Sequence, residues 1–173
     1  QALRQRGCQV TVWPAGSTAA EILADEPEGI VLSEGPGDPA ENAALIEQIA
    51  QLCQAKRPVL GVGLGHELLA LSQGAKTYRL KHGHRGANQP VKNLETGRVY
   101  ISSQNHGYAV VSSSIDSAVA GELFVNVNDN TCEGIRYLDC PAFSVQFHPE
   151  ACGGPLDTQA LFDEFFAMMK EGE

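Results

Sequence analysis

The residues Pro58–Leu71, PVLGVGLGHELLAL, combine spacing and chemistry most sharply. Val59, Leu60 and Val62 form a short apolar strand, Gly61, Gly63 and Gly65 bend it, and a helix is predicted from about His66. So sharp a strand-to-helix turn lifts its central residue to the carboxyl edge of a sheet, where strained dihedrals suit a reactive side chain. The helix that follows aims free N–H groups and its positive dipole end at that point, which lowers a thiol's pKa and stabilises an oxyanion. Gly63 stands at the tip, so the chain has a seat for a nucleophile and no nucleophile in it. By itself, Gly-x-Gly-x-Gly reads equally well as a tight turn or a phosphate loop, although neither G-x-G-x-x-G nor Gly-Lys-Ser/Thr is present.

Two other segments carry usable groups. In Gln146–Glu150, QFHPE, an apolar strand (Ala142, Phe143, Val145) is followed by His148 and Glu150. A histidine backed by a carboxylate is a base and its orienter. Gln104–Tyr108, QNHGY, offers an amide, a permissive glycine and an aromatic, suited to a polar amino-acid ligand. Taken singly, the first is an ordinary surface pair and the second a turn.

The elements that must position these groups alternate at first. The opening QALRQRG reads as the last turn of a helix closed by Gly7, and Cys8–Trp13 as a strand ended by Pro14. Ser17 or Thr18 caps a helix through Ala24, with Glu21 at capping-box distance from Thr18. Gly29–Ser33 is a buried strand with GPGDP at its end, and a helix runs from about Glu41 to Ala55 with Ile46, Ile49, Leu52 and Cys53 on its apolar stripe. The elbow helix, His66–Ser72, is closed by Gly74. This alternation predicts an α/β fold, a mostly parallel sheet flanked by helices. From Ala75 the pattern changes to short strands at Thr77–Leu80, Gln89–Val91, Val99–Ser102, Ala109–Val111, Leu123–Asn128, Cys132–Tyr137 and Ala142–Gln146, an antiparallel section. Asp157–Lys170 is a final amphipathic helix, and the basic cluster Lys81–Arg85, KHGHR, reads as a solvated loop.

Composition bounds the function. The 173 residues suit one domain, and a net charge of -9 argues against nucleic acid or an anionic membrane as partner. No apolar run approaches the ~20 residues of a membrane span, and no signal peptide is visible. Five scattered cysteines (Cys8, Cys53, Cys132, Cys140, Cys152) contain no C-x-x-C, so neither a zinc site nor a disulfide framework is indicated, and a reducing cytoplasm fits.

Together the segments resemble the triad (class I) glutamine amidotransferases. Within that family the match is to the glutaminase domain of carbamoyl-phosphate synthetase small subunits. It rests on SEGPGDP (Ser33–Pro39), LGHELLALSQGAKT (Leu64–Thr77), GHRGANQPV (Gly83–Val91), SQNHGYAV (Ser103–Val110) and FHPEACGGPLDT (Phe147–Thr158), in order along nearly the whole chain. The resemblance implies a flavodoxin-like three-layer fold. It also implies hydrolysis of glutamine's side-chain amide through a cysteine thioester, ammonia delivery to a large synthetase subunit, and no metal or cofactor. It makes His148 the base and Glu150 its orienter, and it lines the oxyanion and glutamine site with Gly35, Gly37 and Leu64. Asn105, Gly107 and Tyr108 hold the substrate's amino-acid end. Glu67 replaces the glutamine that usually contacts substrate.

The departures are as informative. Gly63 occupies the cysteine position, which closes the covalent route; Cys152 is a candidate substitute but lies off the elbow. Compared with the family pattern, the first strand and a preceding domain are expected to be missing. Two alternatives stay open, a non-catalytic amidotransferase-like module that binds or regulates, and a relative of the γ-glutamyl peptidase type.

Overall fold

One seven-stranded sheet carries the molecule, and the computed structural model describes residues 1–150 and 158–171 of it. The strands are β1 (Ile30–Leu32), β2 (Val59–Val62), β3 (Thr77–Asn93), β4 (Val99–Val110), β5 (Ala120–Asn126), β6 (Cys132–Tyr137) and β7 (Ala142–Val145). Their order across the sheet is β1-β2-β7-β6-β5-β3-β4. β1 pairs with β2 and β2 with β7 in parallel, and the remaining pairings are antiparallel. The fold is therefore α/β with a mixed sheet, in which the antiparallel section continues the parallel one.

Helices α2 (Ala19–Ala24), α3 (Ala43–Gln54) and α4 (Leu64–Ser72) share one apolar core, and α1 (Ala2–Gln5) and α5 (Ala160–Glu171) border another. Strand alternation supplies both. Val59 and Ala142 point to the first core, while Leu60, Val62, Phe143 and Val145 point to the second. All four residues of β2 are buried, as a central strand covered on both faces requires. The Thr18 hydroxyl accepts from Glu21 N while the Glu21 carboxylate accepts from Thr18 N, the reciprocal cap predicted for α2.

Several expectations are corrected. Cys8–Trp13 is not a strand: no ladder includes it, and Val12 is 86% exposed. Apolar alternation measures a face to bury, but a strand exists only where a neighbour accepts its hydrogen bonds. The short strands at 77–80 and 89–91 are one strand, β3, and those at 99–102 and 109–111 are one strand, β4. Lys81–Arg85 thus lies in β3 rather than in a loop, and Gln104–Tyr108 lies in β4 rather than in a turn. Register shifts between Arg79 and His84 and between Gly86 and Gln89 let this ribbon continue through polar residues. β7 pairs in parallel with β2 as well as antiparallel with β6, so it joins the two sections. Asp157, the expected start of the last helix, and Cys152 lie outside the described residues.

Candidate active site

The elbow forms as its glycines require. Gly63 has φ 56° and ψ −115°, a conformation that a side chain adopts only under strain, and it is the N-cap of α4. Its N–H donates to Val145 O at 2.9 Å, and its carbonyl accepts from His66 N at 3.0 Å and Glu67 N at 3.3 Å. Gly65 allows α4 to pass over β1: a Cβ there would lie 2.6 Å from the Leu32 carbonyl carbon. The elbow therefore forms with glycine at its tip, in a conformation that glycine adopts without the cost a Cβ would bring.

His148 and Glu150 follow β7. His148 N donates to Ser103 O at 2.9 Å, which fastens this segment beside β4. The imidazole Nδ1 meets Glu150 Oε1 at 3.2 Å, and Nε2 lies 4.0 Å from Glu34 Oε2. The bond to Glu150 raises the His148 pKa, burial opposes it, and the charges of Glu150 and Glu34 add to the rise. Burial raises Glu150, but its bond to His148 carries it below the usual carboxylate range. The two side chains thus form a hydrogen-bonded imidazole–carboxylate pair, with Nε2 turned toward Glu34.

Glu34 is the residue sequence reasoning missed. A Cβ placed on Gly63 would overlap Glu34 Oε2 and lie 2.5 Å from its Cδ. Burial pushes the Glu34 pKa up, while His148 and the amides of Gly35 and Leu64 pull it down. Glu34 lies within the SEGPGDP segment, but nothing in its position announces that its side chain turns back across the elbow.

A cleft of about 780 Å³ opens beside Glu34. It collects Gly35, Gly37, Leu64, Glu67, Asn105, Gly107 and Tyr108, from three separate stretches of chain. Gly63 and His148 adjoin it through Glu34. The cleft is also lined by Arg79 and Arg85 from β3 and by Gln146 just past β7, none of which was assigned a site role from the sequence. Strand alternation offered a signal for Gln146, since Phe143, Val145 and Phe147 face the second core and Gln146 must face the other way. Among the described residues, Glu67 Oε1 and both side-chain polar atoms of Gln146 are buried without a close hydrogen-bond partner, and Gln146 stands near enough to Glu67 to lower its pKa. Burial pushes Glu67 up to about 7, helped by the charges of Glu34 and Asp38. Burial thus favours the neutral acid, which can donate a hydrogen bond as an amide would.

A second titratable group sits behind this wall. The rings of His84 and His106 meet edge to face at 4.9 Å, and ligand-type atoms of His84, His106 and Glu133 lie within 4.8 Å of one another. Both His84 nitrogens are occupied, Nδ1 by Glu133 Oε1 at 3.1 Å and Nε2 by Asp129 Oδ2 at 2.9 Å. That double bond to carboxylates, chiefly to Glu133, raises His84 to about 9 and makes it an imidazolium at neutral pH. The cluster is an ion-pair network with no lone pair turned toward a cation on His84. His106 Nδ1 meets Tyr108 O at 2.7 Å, so the network borders the β4 segment that lines the cleft.

The family model for glutamine amidotransferase class-I matches residues 1–168. The carbamoyl phosphate synthase small chain of Staphylococcus haemolyticus is 52% identical over 169 residues, 98% of this chain and 46% of the relative. That of Methanopyrus kandleri is 50% identical over the same shares. The chain thus spans about half the length of the curated relatives it matches. Among solved structures, a putative GMP synthase protein from Thermoplasma acidophilum superposes with a TM-score of 0.84 at 20% identity, covering 98% of this chain and 85% of that one, which shows the fold. With an elbow, a histidine–carboxylate pair and a polar cleft assembled on that fold, the chain belongs to the class-I glutamine amidotransferase family.

Proposed function

We propose that this chain is the glutaminase portion of a carbamoyl-phosphate synthase small chain, with a glutamine site whose covalent chemistry is closed at Gly63. The observation that carries the reading is His148, held by Glu150 and facing the elbow at which Gly63 replaces a nucleophile. In this reading Asn105, Gly107 and Tyr108 hold the amino-acid end of glutamine, and Gly35, Gly37 and Leu64 line the place of its side-chain carbonyl. A thiolate at the tip would attack that carbonyl, ammonia would leave with a proton from His148, and water would release glutamate from the thioester. The N–H groups at the elbow would stabilise each tetrahedral oxyanion. Without the thiol only attack by water that His148 activates remains, and loss of a nucleophile costs several orders of magnitude in rate. A cytoplasmic setting and a large synthetase partner that accepts the ammonia belong to the same proposal.

The test is glutamate release from glutamine by this chain and by Gly63→Cys, both supplied with a synthetase large subunit. Turnover confined to the variant supports the reading; turnover by the unmodified chain overturns the account of Gly63. Glutamine binding with no turnover by either would favour a binding or regulatory module. A γ-glutamyl peptide bound more tightly than glutamine would favour the peptidase-type relative.

A further inference from the structure

Gly63 is not merely a residue short of a thiol, because the volume a side chain would enter already holds another group. The Glu34 carboxylate blocks the start of any side chain at position 63, with Oε2 overlapping the missing Cβ. The same Oε2 is 4.0 Å from His148 Nε2, the nitrogen not used by Glu150. Glu34 and Leu64 belong to the two segments that meet at the elbow, and both line the cleft.

We propose that Glu34 is the resident occupant of the nucleophile seat, a carboxylate supplied by the chain itself. The inference rests on the seat assigned above, but not on glutamine being the substrate. Glycine at 63 and glutamate at 34 form one unit, since the first makes the space that the second fills. Two consequences follow. His148 lies between two carboxylates, Glu150 and Glu34, and keeps its proton more tightly than a base needs to. A thiol placed at 63 must displace the Glu34 side chain, which can swing aside, and then meets a neighbouring anion that opposes thiolate formation.

Both consequences can be read on this chain without glutamine or a partner protein. NMR titration of His148 in Glu34→Gln, a neutral side chain of the same shape, should give a pKa lower by about one unit, the size expected for removing a charge about 4 Å away. Iodoacetamide alkylation of the thiol introduced by Gly63→Cys, followed site by site by mass spectrometry, should be about tenfold faster in Glu34→Ala/Gly63→Cys. An unshifted His148, or equal alkylation with and without Glu34, overturns the proposal. Glutamine hydrolysis failing in every variant while these shifts hold would instead count against the functional reading and leave the occupied seat standing.

Discussion

At Glu67 a carboxylate stands where an amide would contact substrate in the resembled family, and its surroundings favour the neutral acid. Glu67 is 3% exposed and one of its oxygens has no protein partner. Its pKa of about 7 lies above the ordinary 4.5, so the folded state binds the proton more tightly than the unfolded chain does. The linked stability is fully present below pH 4.5 and is lost as pH rises through 7. Glu67→Gln removes this loss. Urea unfolding should show the variant more stable at pH 8, by up to about 3 kcal/mol, with the two chains converging toward pH 4.5. Equal stability at both pH values would mean that Glu67 is ionised at little cost. His66 shows the opposite case of burial. It is fully enclosed, bonded to Ser144 Oγ at 2.8 Å and pushed down to about 3 by desolvation, so it is a neutral core group.

At the scale of elements, β3, β4 and β6 are held together by more than their ladders. His84 on β3 bonds Glu133 on β6, whose side chain is fully buried, and His84 packs edge-on against His106 on β4. Removing one partner of a buried pair leaves the other charge uncompensated. His84→Ala should therefore cost about 3 kcal/mol at pH 7 by thermal or urea unfolding. The sign of the pH dependence is that of a raised histidine. The contribution is complete below pH 6.5 and fades as pH passes 9. The mutant and the unmodified chain should accordingly approach each other at high pH, and a gap that widens there would refute the imidazolium. None of this was legible in KHGHR, whose polarity suggested solvent. Its ladder partners and the carboxylates that face it lie some 20 to 50 residues away in sequence.

Over the whole molecule, protection should follow the sheet and not the hydropathy. Residues 8–13 contain Val12 and Trp13, the chain's single tryptophan, yet no ladder includes them and Trp13 is 38% exposed. β2 lies between β1 and β7 with every residue buried. Amide hydrogen exchange should be fast across 9–13 and slowest across Val59–Val62. Strong protection across 9–13 would mean that this segment pairs after all. The two cores lie as the alternation of β2 and β7 dictates, one on each face of the shared strands.

What the sequence determined by itself was whatever is local or periodic. The Thr18 cap, the helix stripes, the apolar strands Ile30–Leu32 and Val59–Val62, and the glycine elbow with Gly63 at its tip all follow from neighbouring residues and fixed repeats. The order of motifs along the chain also carried the family, because several matches in sequence constrain far more than one. Only the tertiary structure decided that polar runs continue β3 and β4, that Cys8–Trp13 finds no neighbour, and that β7 joins a parallel to an antiparallel region. It alone brought Glu34 to the place of a missing side chain and left Glu67 and Gln146 buried beside it. The reason is physical: backbone pairing, burial and the field of a distant charge depend on which segments meet in space, and spacing along the chain does not encode that meeting.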